Sequence, residues 1–212
     1  MHYRQGDSDE DRTAYGEVVL AAIGRVPNTD ADWFRSSGLK LDERGYVTVD
    51  GYGRTNLDGV WALGDITPGH ALAHRAFEQG ITIAEKIAGA DPKPVIDDTV
   101  PQVVFSFPEA ASVGLTLDQA KAREDVVEPK ETAYPMLSNA RMLMSGEGGS
   151  MTVVSGAFAN NPDMQVVLGV HIVSPIASDL IAEAETVGRQ PYPACRCGTA
   201  HPPASHVQRD AR

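Results

Sequence analysis

The chain has 212 residues, 42% of them hydrophobic, and a formal net charge of −11. This length allows one or two domains with a hydrophobic core, and the acidic balance argues against nonspecific binding to nucleic acid or to an anionic membrane. No apolar run approaches the roughly 20 residues of a membrane span, and residues 1–16 lack the apolar segment of a secretory signal, so we expect a cytoplasmic protein.

The first half of the chain predicts short strands and one long helix. Gly16–Ile23 (GEVVLAAI) and Val60–Leu63 (VWAL) are apolar runs typical of buried strands. Trp33–Leu41 favours a short helix, and the alternation of Tyr46–Asp50 favours a half-exposed strand. Apolar residues fall largely on one face of His70–Gly89, which therefore predicts an amphipathic helix.

The second half predicts an α+β domain behind a linker. Asp91–Asp98 (DPKPVIDD) is Pro-rich and charged, as linkers are. Four apolar segments predict strands, namely Pro101–Phe107, Ala111–Gly114, Met151–Phe158 and Val166–Val173. Thr116 is a predicted N-cap for a helix over Leu117–Arg123, and Ile176–Glu185 predicts another helix. The Gly-rich segment Ser138–Ser150 predicts a hairpin turn.

Several short motifs follow one another along the chain. They are Ala22–Asn28 (AIGRVPN), Ala62–Asp65 (ALGD), Leu72–Ala76 (LAHRA), Val103–Glu109 (VVFSFPE), Ala111–Thr116 (ASVGLT), Gly169–Val173 (GVHIV) and Ala177–Ile181 (ASDLI). Each motif alone is a weak signal, but their order resembles that in flavoprotein pyridine nucleotide–disulfide oxidoreductases. The match covers about residues 16–185.

This resemblance implies an α/β and α+β architecture: the C-terminal part of an FAD- and NAD-binding, Rossmann-like oxidoreductase, followed by an α+β dimerisation domain. Residues 1–25 would end the NAD-binding domain, residues 26–92 would be the C-terminal part of the FAD-binding domain, and residues 98–185 the dimerisation domain. The family's C-x4-C redox pair and its two G-x-G-x-x-G loops do not occur in the sequence. We therefore expect the chain to be a C-terminal fragment.

The resemblance also implies a partial cofactor site at Gly24, Gly64, Asp65, Leu72, Ala73 and His74. Asp65 would accept hydrogen bonds from the ribityl chain of FAD, since a carboxylate accepts strongly at two oxygens. The helix that begins near His70 would direct its N–H groups and positive dipole end at the flavin, with His74 contributing backbone only. Read without the family, Asp65 could cap the next turn, Gly24 could serve turn geometry, and Arg25 is expected to be an ion-pairing or capping group.

Within the family, LAHRA and ASVGLT look most like dihydrolipoamide dehydrogenases, with mercuric and mycothione reductases as alternatives. The implied full enzyme is a homodimer that reoxidises the dithiol of a lipoyl-bearing protein, or of a small disulfide substrate, with NAD+. We assign no catalytic residue and no metal ligand to this chain, and we expect the fragment alone to be inactive. The alternative function is a non-catalytic dimerisation or interaction module.

The last 27 residues, 186–212, lack a helical period and contain the only two cysteines, Cys195 and Cys197. Read one frame over, the codons of Gly198–Ala211 permit AQLIHPHPTFSET, which contains the family's active-site H-P-H-P-T-x-S-E pattern. We therefore expect a frameshifted tail, in which His201 and His206 are not catalytic. The alternative is a divergent tail with a C-x-C thiol pair.

Overall fold

The computed structural model describes residues 2–6 and 9–189. Its helices and strands are, in chain order, β1 (His2–Tyr3), β2 (Arg12–Thr13), α1 (Asp32–Ser36), α2 (Ala73–Ile87), β3 (Gln102–Val104), β4 (Glu109–Gly114), α3 (Leu117–Ala122), β5 (Val126–Pro135), α4 (Ala140–Ser145), β6 (Ser150–Phe158), β7 (Asn161–Ser174) and α5 (Ala177–Arg189). Within the described ranges, no helix has the length and apolar character needed to cross a membrane. The predicted tail lies outside the described residues from position 190 onward.

The second half forms a five-stranded antiparallel sheet in the order β3-β4-β7-β6-β5. Helix α5 packs on β4 and β7, so that Val113, Val170 and Ile181 lie in one core cluster. The Glu109 carboxylate on β4 accepts a hydrogen bond from the Ser178 N–H in the first turn of α5, at 2.8 Å, and this bond lowers the pKa of Glu109. Three of the four predicted strands and both predicted helices are confirmed here, whereas the strand predicted for Pro101–Phe107 forms only over Gln102–Val104.

Helix α3 begins with a capping box. The Thr116 hydroxyl accepts from the Gln119 N–H at 3.3 Å, and the Gln119 side chain accepts from the Thr116 N–H at 2.9 Å. The predicted N-cap is therefore confirmed, and it satisfies two backbone donors at a helix start.

Replacing Thr116 by alanine is expected to lower the free energy of unfolding by about 1 kcal/mol, because it removes this cap. Urea denaturation followed by circular dichroism measures the loss. Thr116→Ser keeps the hydroxyl and should restore most of the stability. Equal losses for both substitutions would show that the hydroxyl bond does not stabilise the helix.

The hairpin turn predicted for Ser138–Ser150 is wrong in part, because the segment contains α4. The Asn139 side chain caps that helix by accepting from the Arg141 N–H at 2.9 Å. Gly146, with φ 71°, then ends it in the left-handed conformation. Helix-forming residues between an N-cap asparagine and a C-terminal glycine explain the difference.

The strands predicted for the first half do not form. Gly16–Ile23 is an irregular segment. Its apolar side chains are exposed: Val18 by 86%, Leu20 by 89% and Ile23 by 97%. Val60–Leu63 and Tyr46–Asp50 are represented only by isolated bridges, Arg54 to Trp61 and Leu41 to Val47. A strand needs a neighbour that pairs with its N–H and C=O groups over several residues. Single bridges and a few backbone bonds, such as that from the Ala62 N–H to the Gly53 carbonyl at 2.9 Å, do not make such a ladder.

The first half nevertheless has a small core of its own. Phe34 on α1, Val47 and Ala62 are buried against one another. Burial alternates from Val47 through Thr48 and Val49, as predicted for a half-exposed strand. Side-chain packing and turns hold this region, and α2 follows it as the longest of its helices.

Helix α5 continues through Arg189, four residues past Glu185. The predicted loss of helical periodicity after Glu185 is therefore too early. Leu180, Ile181 and Ala184 pack on the core cluster and hold α5 to the sheet close to this point. The Thr186 hydroxyl donates to the Ala182 carbonyl at 3.2 Å. The frameshift itself stays a prediction.

Candidate functional site

The predicted Gly64 and Asp65 lie in a short 3-10 turn set against α2. Gly64 is buried with φ 73°, in the left-handed region that favours glycine. Its N–H donates to the Gln79 side chain at 2.9 Å, and a Cβ at this position would lie 3.4 Å from the Cβ of Ala76. Gln79 thus fixes the turn to α2, a role that sequence reasoning did not find.

Asp65 presents its carboxylate to solvent beside this turn. One carboxylate oxygen lies 3.4 Å from Arg25 Nη1, with the two side chains 59% and 75% exposed. Asp65 therefore pairs with an arginine 40 positions away along the chain, and Arg25 is the ion-pairing group that the sequence predicts. An ion pair this exposed stabilises the fold little. Because the Asp65 side chain is itself exposed, its carboxylate can still accept hydrogen bonds from a ligand.

Gly24 precedes Arg25, the residue that pairs with Asp65. It is exposed, has φ 125°, and a Cβ built on it would meet nothing within 4 Å. Glycine is favoured at this position because of its positive φ, since there is space for a side chain.

The remaining predicted residues, Leu72, Ala73 and His74, form the start of α2. Leu72 is the N-cap residue and provides no side-chain cap. The N–H of Ala76 makes the first helical bond, to the Leu72 carbonyl at 3.1 Å, so the N–H groups of Ala73 and His74 precede the helical ladder. An uncapped helix start of this kind favours negative charge or a carbonyl oxygen.

The imidazole of His74 takes no part in this helix start. Its Nε2 lies 2.8 Å from the Pro101 carbonyl oxygen, just before β3. That His74 contacts a flavin through its backbone alone stays a prediction.

The apolar face of α2 is largely exposed. Phe77 is 76% and Ile81 is 55% exposed, whereas Thr82 and Ile83 are buried. The predicted amphipathic helix is present, but little of its apolar face is covered by the described residues.

These parts offer a ligand both hydrogen-bond acceptors and hydrogen-bond donors. The carboxylate of Asp65 suits hydroxyl groups, and the N–H groups at the start of α2 suit a carbonyl or an anionic ring edge. A separate cavity of about 540 Å³ beside the sheet is lined by Val113, Phe158 and Val167 and by none of the six predicted site residues. Residues 2–6 and 9–189 contain no cluster of three or more His, Cys, Asp or Glu side chains that could hold a metal ion.

Two family matches cover most of the chain. Residues 4–80 match the family described as pyridine nucleotide-disulphide oxidoreductase. Residues 100–209 match the pyridine nucleotide-disulphide oxidoreductase dimerisation domain. The second match alone spans more than half of the sequence.

Individual relatives agree with these matches. A dihydrolipoyl dehydrogenase of Cupriavidus necator is 40% identical over 91% of the chain and 40% of its own length, and one of Geobacillus stearothermophilus is 40% identical over 82% and 36%. The crystal structure of LpdA from Mycobacterium tuberculosis superposes with a TM-score of 0.75 at 29% identity, over 88% of this chain and 39% of that one. The chain thus spans about two fifths of the length of these relatives.

Proposed function

The chain belongs to the pyridine nucleotide-disulphide oxidoreductase family, and from this premise we propose that it is part of an FAD-dependent dihydrolipoyl dehydrogenase. The full enzyme would oxidise a protein-bound dihydrolipoyl dithiol to the disulfide, passing a hydride to NAD+ and releasing a proton. The names of the similar enzymes favour this substrate over those of mercuric or mycothione reductases. The dimerisation-domain match supports a homodimer, and we propose a lipoyl-bearing protein as its second partner and the cytoplasm as its location.

One observation carries the FAD assignment: α2 begins without a side-chain cap, and the turn that holds Asp65 packs on the first two turns of this helix at Ala76 and Gln79. The two features supply complementary groups, since the helix start donates hydrogen bonds and the carboxylate accepts them. In FAD, the ribityl hydroxyls can donate to such a carboxylate, and the flavin ring can accept from such N–H groups. Gly64 permits the turn that brings them together.

When bound, FAD supplies the two-electron chemistry between dithiol and NAD+. The residues of this chain would bind and orient the cofactor. Asp65 would accept from ribityl hydroxyls, while the N–H groups of Ala73 and His74 would stabilise negative charge on the reduced ring. We propose that the redox cysteine pair and the histidine and glutamate of the H-P-H-P-T-x-S-E pattern, which would transfer protons, are supplied from outside this chain.

A titration of the chain with FAD, followed by flavin fluorescence, tests this proposal. We expect saturable but weak binding, with a dissociation constant of about 10 μM or weaker, because the site holds only part of the cofactor. We also expect no NADH formation from dihydrolipoamide and NAD+. Stoichiometric tight binding, or turnover, would contradict the proposal.

Riboflavin is the matched control ligand for this titration. It keeps the ring and the ribityl chain but lacks the pyrophosphate and adenosine of FAD. Because the proposed contacts reach only the ring and ribityl chain, riboflavin and FAD should bind with similar affinity. ADP should not compete with either ligand.

The second candidate is a non-catalytic dimerisation module, and the exposed β3–β4 hairpin favours it. Val104, Phe105 and Phe107 are 62%, 80% and 83% exposed there. Most of Val166–Val173 does not add to this exposed surface, because α5 and the neighbouring strands bury it. A stable dimer in sedimentation that binds no flavin would favour this candidate.

A further inference from the structure

Arg75, in the first turn of α2, has a buried side chain that is only 6% exposed. Its Nε donates to Asp97 Oδ1 at 2.6 Å, and its Nη2 donates to the Pro68 carbonyl at 2.7 Å. Its Nη1 is buried and has no hydrogen-bond partner among the described residues. The guanidinium is therefore held on two sides, by a carboxylate and by a backbone carbonyl.

The loop before α2 is shaped around this guanidinium. Gly69 has φ 117°, and a Cβ at this position would collide with Arg75 Nη2 and with Asp97 Oδ2. Any other residue at position 69 would displace either the arginine or its partner. We call Pro68, Gly69, Arg75 and Asp97 the arginine clasp.

The arginine clasp joins the two halves of the chain. Asp97 belongs to the segment that leads into β3, 22 positions away from Arg75. Two histidines near the start of α2 reach the same segment: His74 Nε2 lies 2.8 Å from the Pro101 carbonyl, and His70 Nε2 lies 3.1 Å from Gln102 Nε2. Three polar contacts thus fix the helix start to the beginning of the sheet domain.

The position of this charge is unfavourable by itself. A cation in the first turn opposes the helix dipole, and burying a guanidinium removes its hydration. The ion pair with Asp97 offsets part of both costs. A buried ion pair with these costs is better suited to fixing the relative position of α2 and the Asp97 segment than to stabilising the fold.

We propose that Arg75 is a positioning residue, which through Asp97 sets the orientation of the flavin-binding helix start relative to the dimerisation domain. The effect on FAD rests on the proposed function above. Arg75 itself need not touch the cofactor, because it acts through the N–H groups of Ala73 and His74.

The test compares Arg75→Met and Arg75→Lys with a control at the other end of the same helix. Lys86→Met removes an ion pair of 3.0 Å with Asp91, which is 93% exposed. Arg75→Met should raise the FAD dissociation constant roughly tenfold and speed hydrogen exchange of amides 76–79, the first amides of α2 that helical bonds protect. Arg75→Lys should recover part of the affinity, because an ammonium can still pair with Asp97, and Lys86→Met should change neither quantity.

A folded Arg75→Met chain with unchanged exchange at amides 76–79 and FAD affinity within about twofold of the original would overturn the proposal. If Arg75→Met does not fold, Asp97→Asn serves instead, since its amide oxygen still accepts from Arg75. It should speed the same exchange to a smaller degree, and unchanged exchange would overturn the proposal. Absence of FAD binding by the original chain would refute the proposed function, while the exchange measurement would still decide whether Arg75 positions the helix.

Discussion

Replacing Asp65 by asparagine is expected to weaken FAD binding by roughly 10- to 100-fold, the effect of removing a hydrogen bond to an ionised group. The substitution keeps the size of the side chain but removes the charge and turns one acceptor into a donor. Stability should change little, because the lost ion pair with Arg25 is long, at 3.4 Å, and exposed. Flavin fluorescence titration and thermal unfolding measure the two quantities.

Asp58→Asn is the matched control for Asp65→Asn. Asp58 is also exposed and lies in the turn before the same segment, outside the predicted site. It should leave FAD affinity unchanged, which separates the role of the Asp65 carboxylate from a general effect of net charge. Equal affinity losses in the two variants would refute the role assigned to Asp65.

Replacing Ile181 by alanine is expected to lower the free energy of unfolding by about 2–5 kcal/mol. Ile181 is 3% exposed and packs with Val113, Val170 and Ala177 between α5 and the sheet. The substitution removes buried methyl groups and leaves a cavity in the main core of the second half. Urea denaturation followed by circular dichroism would show it as a lower midpoint with a similar slope.

Ile87→Ala makes the same chemical change at an exposed position. Ile87 ends α2 with 63% of its surface exposed, so its loss should cost less than about 0.5 kcal/mol. Similar losses at positions 181 and 87 would mean that α5 does not pack on the sheet as described.

The second half of the fold could be predicted because local signals there agree with tertiary packing. The apolar runs of β6 and β7 coincide with paired strands, and Thr116 caps α3 as its position before a helix-forming run indicates. These elements find their partners within about 90 residues of the chain. The pattern and the packing therefore point to the same structure.

β5 is the strand of the second half that the pattern did not indicate. Val126–Pro135 carries Pro129 and several charged residues, and its pairing with β6 is interrupted between Val127 and Lys130, where Glu128 has φ 50°. Proline and bulges of this kind are tolerated at the edge of a sheet, and β5 is the edge strand. Its polarity follows from the same position, because an edge strand contacts solvent.

Gly16–Ile23 shows the opposite error. Its hydrophobicity predicts a buried strand, but a strand is defined by a neighbour, and composition does not say whether one is present. The same holds for the exposed Phe77 and Ile81 on α2, whose helical spacing was correctly interpreted. Periodicity gives the conformation of such segments, whereas their burial depends on what packs against them.

The same difference between local sequence pattern and tertiary packing applies to the candidate site. Gly64, Asp65 and the start of α2 could be located from the order of motifs, because each lies in a short contiguous stretch. The partners of Asp65 and Arg75 could not, since Arg25 and Asp97 are 40 and 22 positions away and such pairs depend on the folded path of the chain. A buried arginine also has no local pattern of its own.

Backbone amide chemical shifts recorded during an FAD titration test the central claim most directly. We predict saturable shifts at Gly64, Asp65, Ala73 and His74, with little change at Val154 in the buried centre of the sheet. This result would place the flavin at the start of α2. Saturable binding that leaves these four amides unmoved, or no binding at millimolar FAD, would contradict the account.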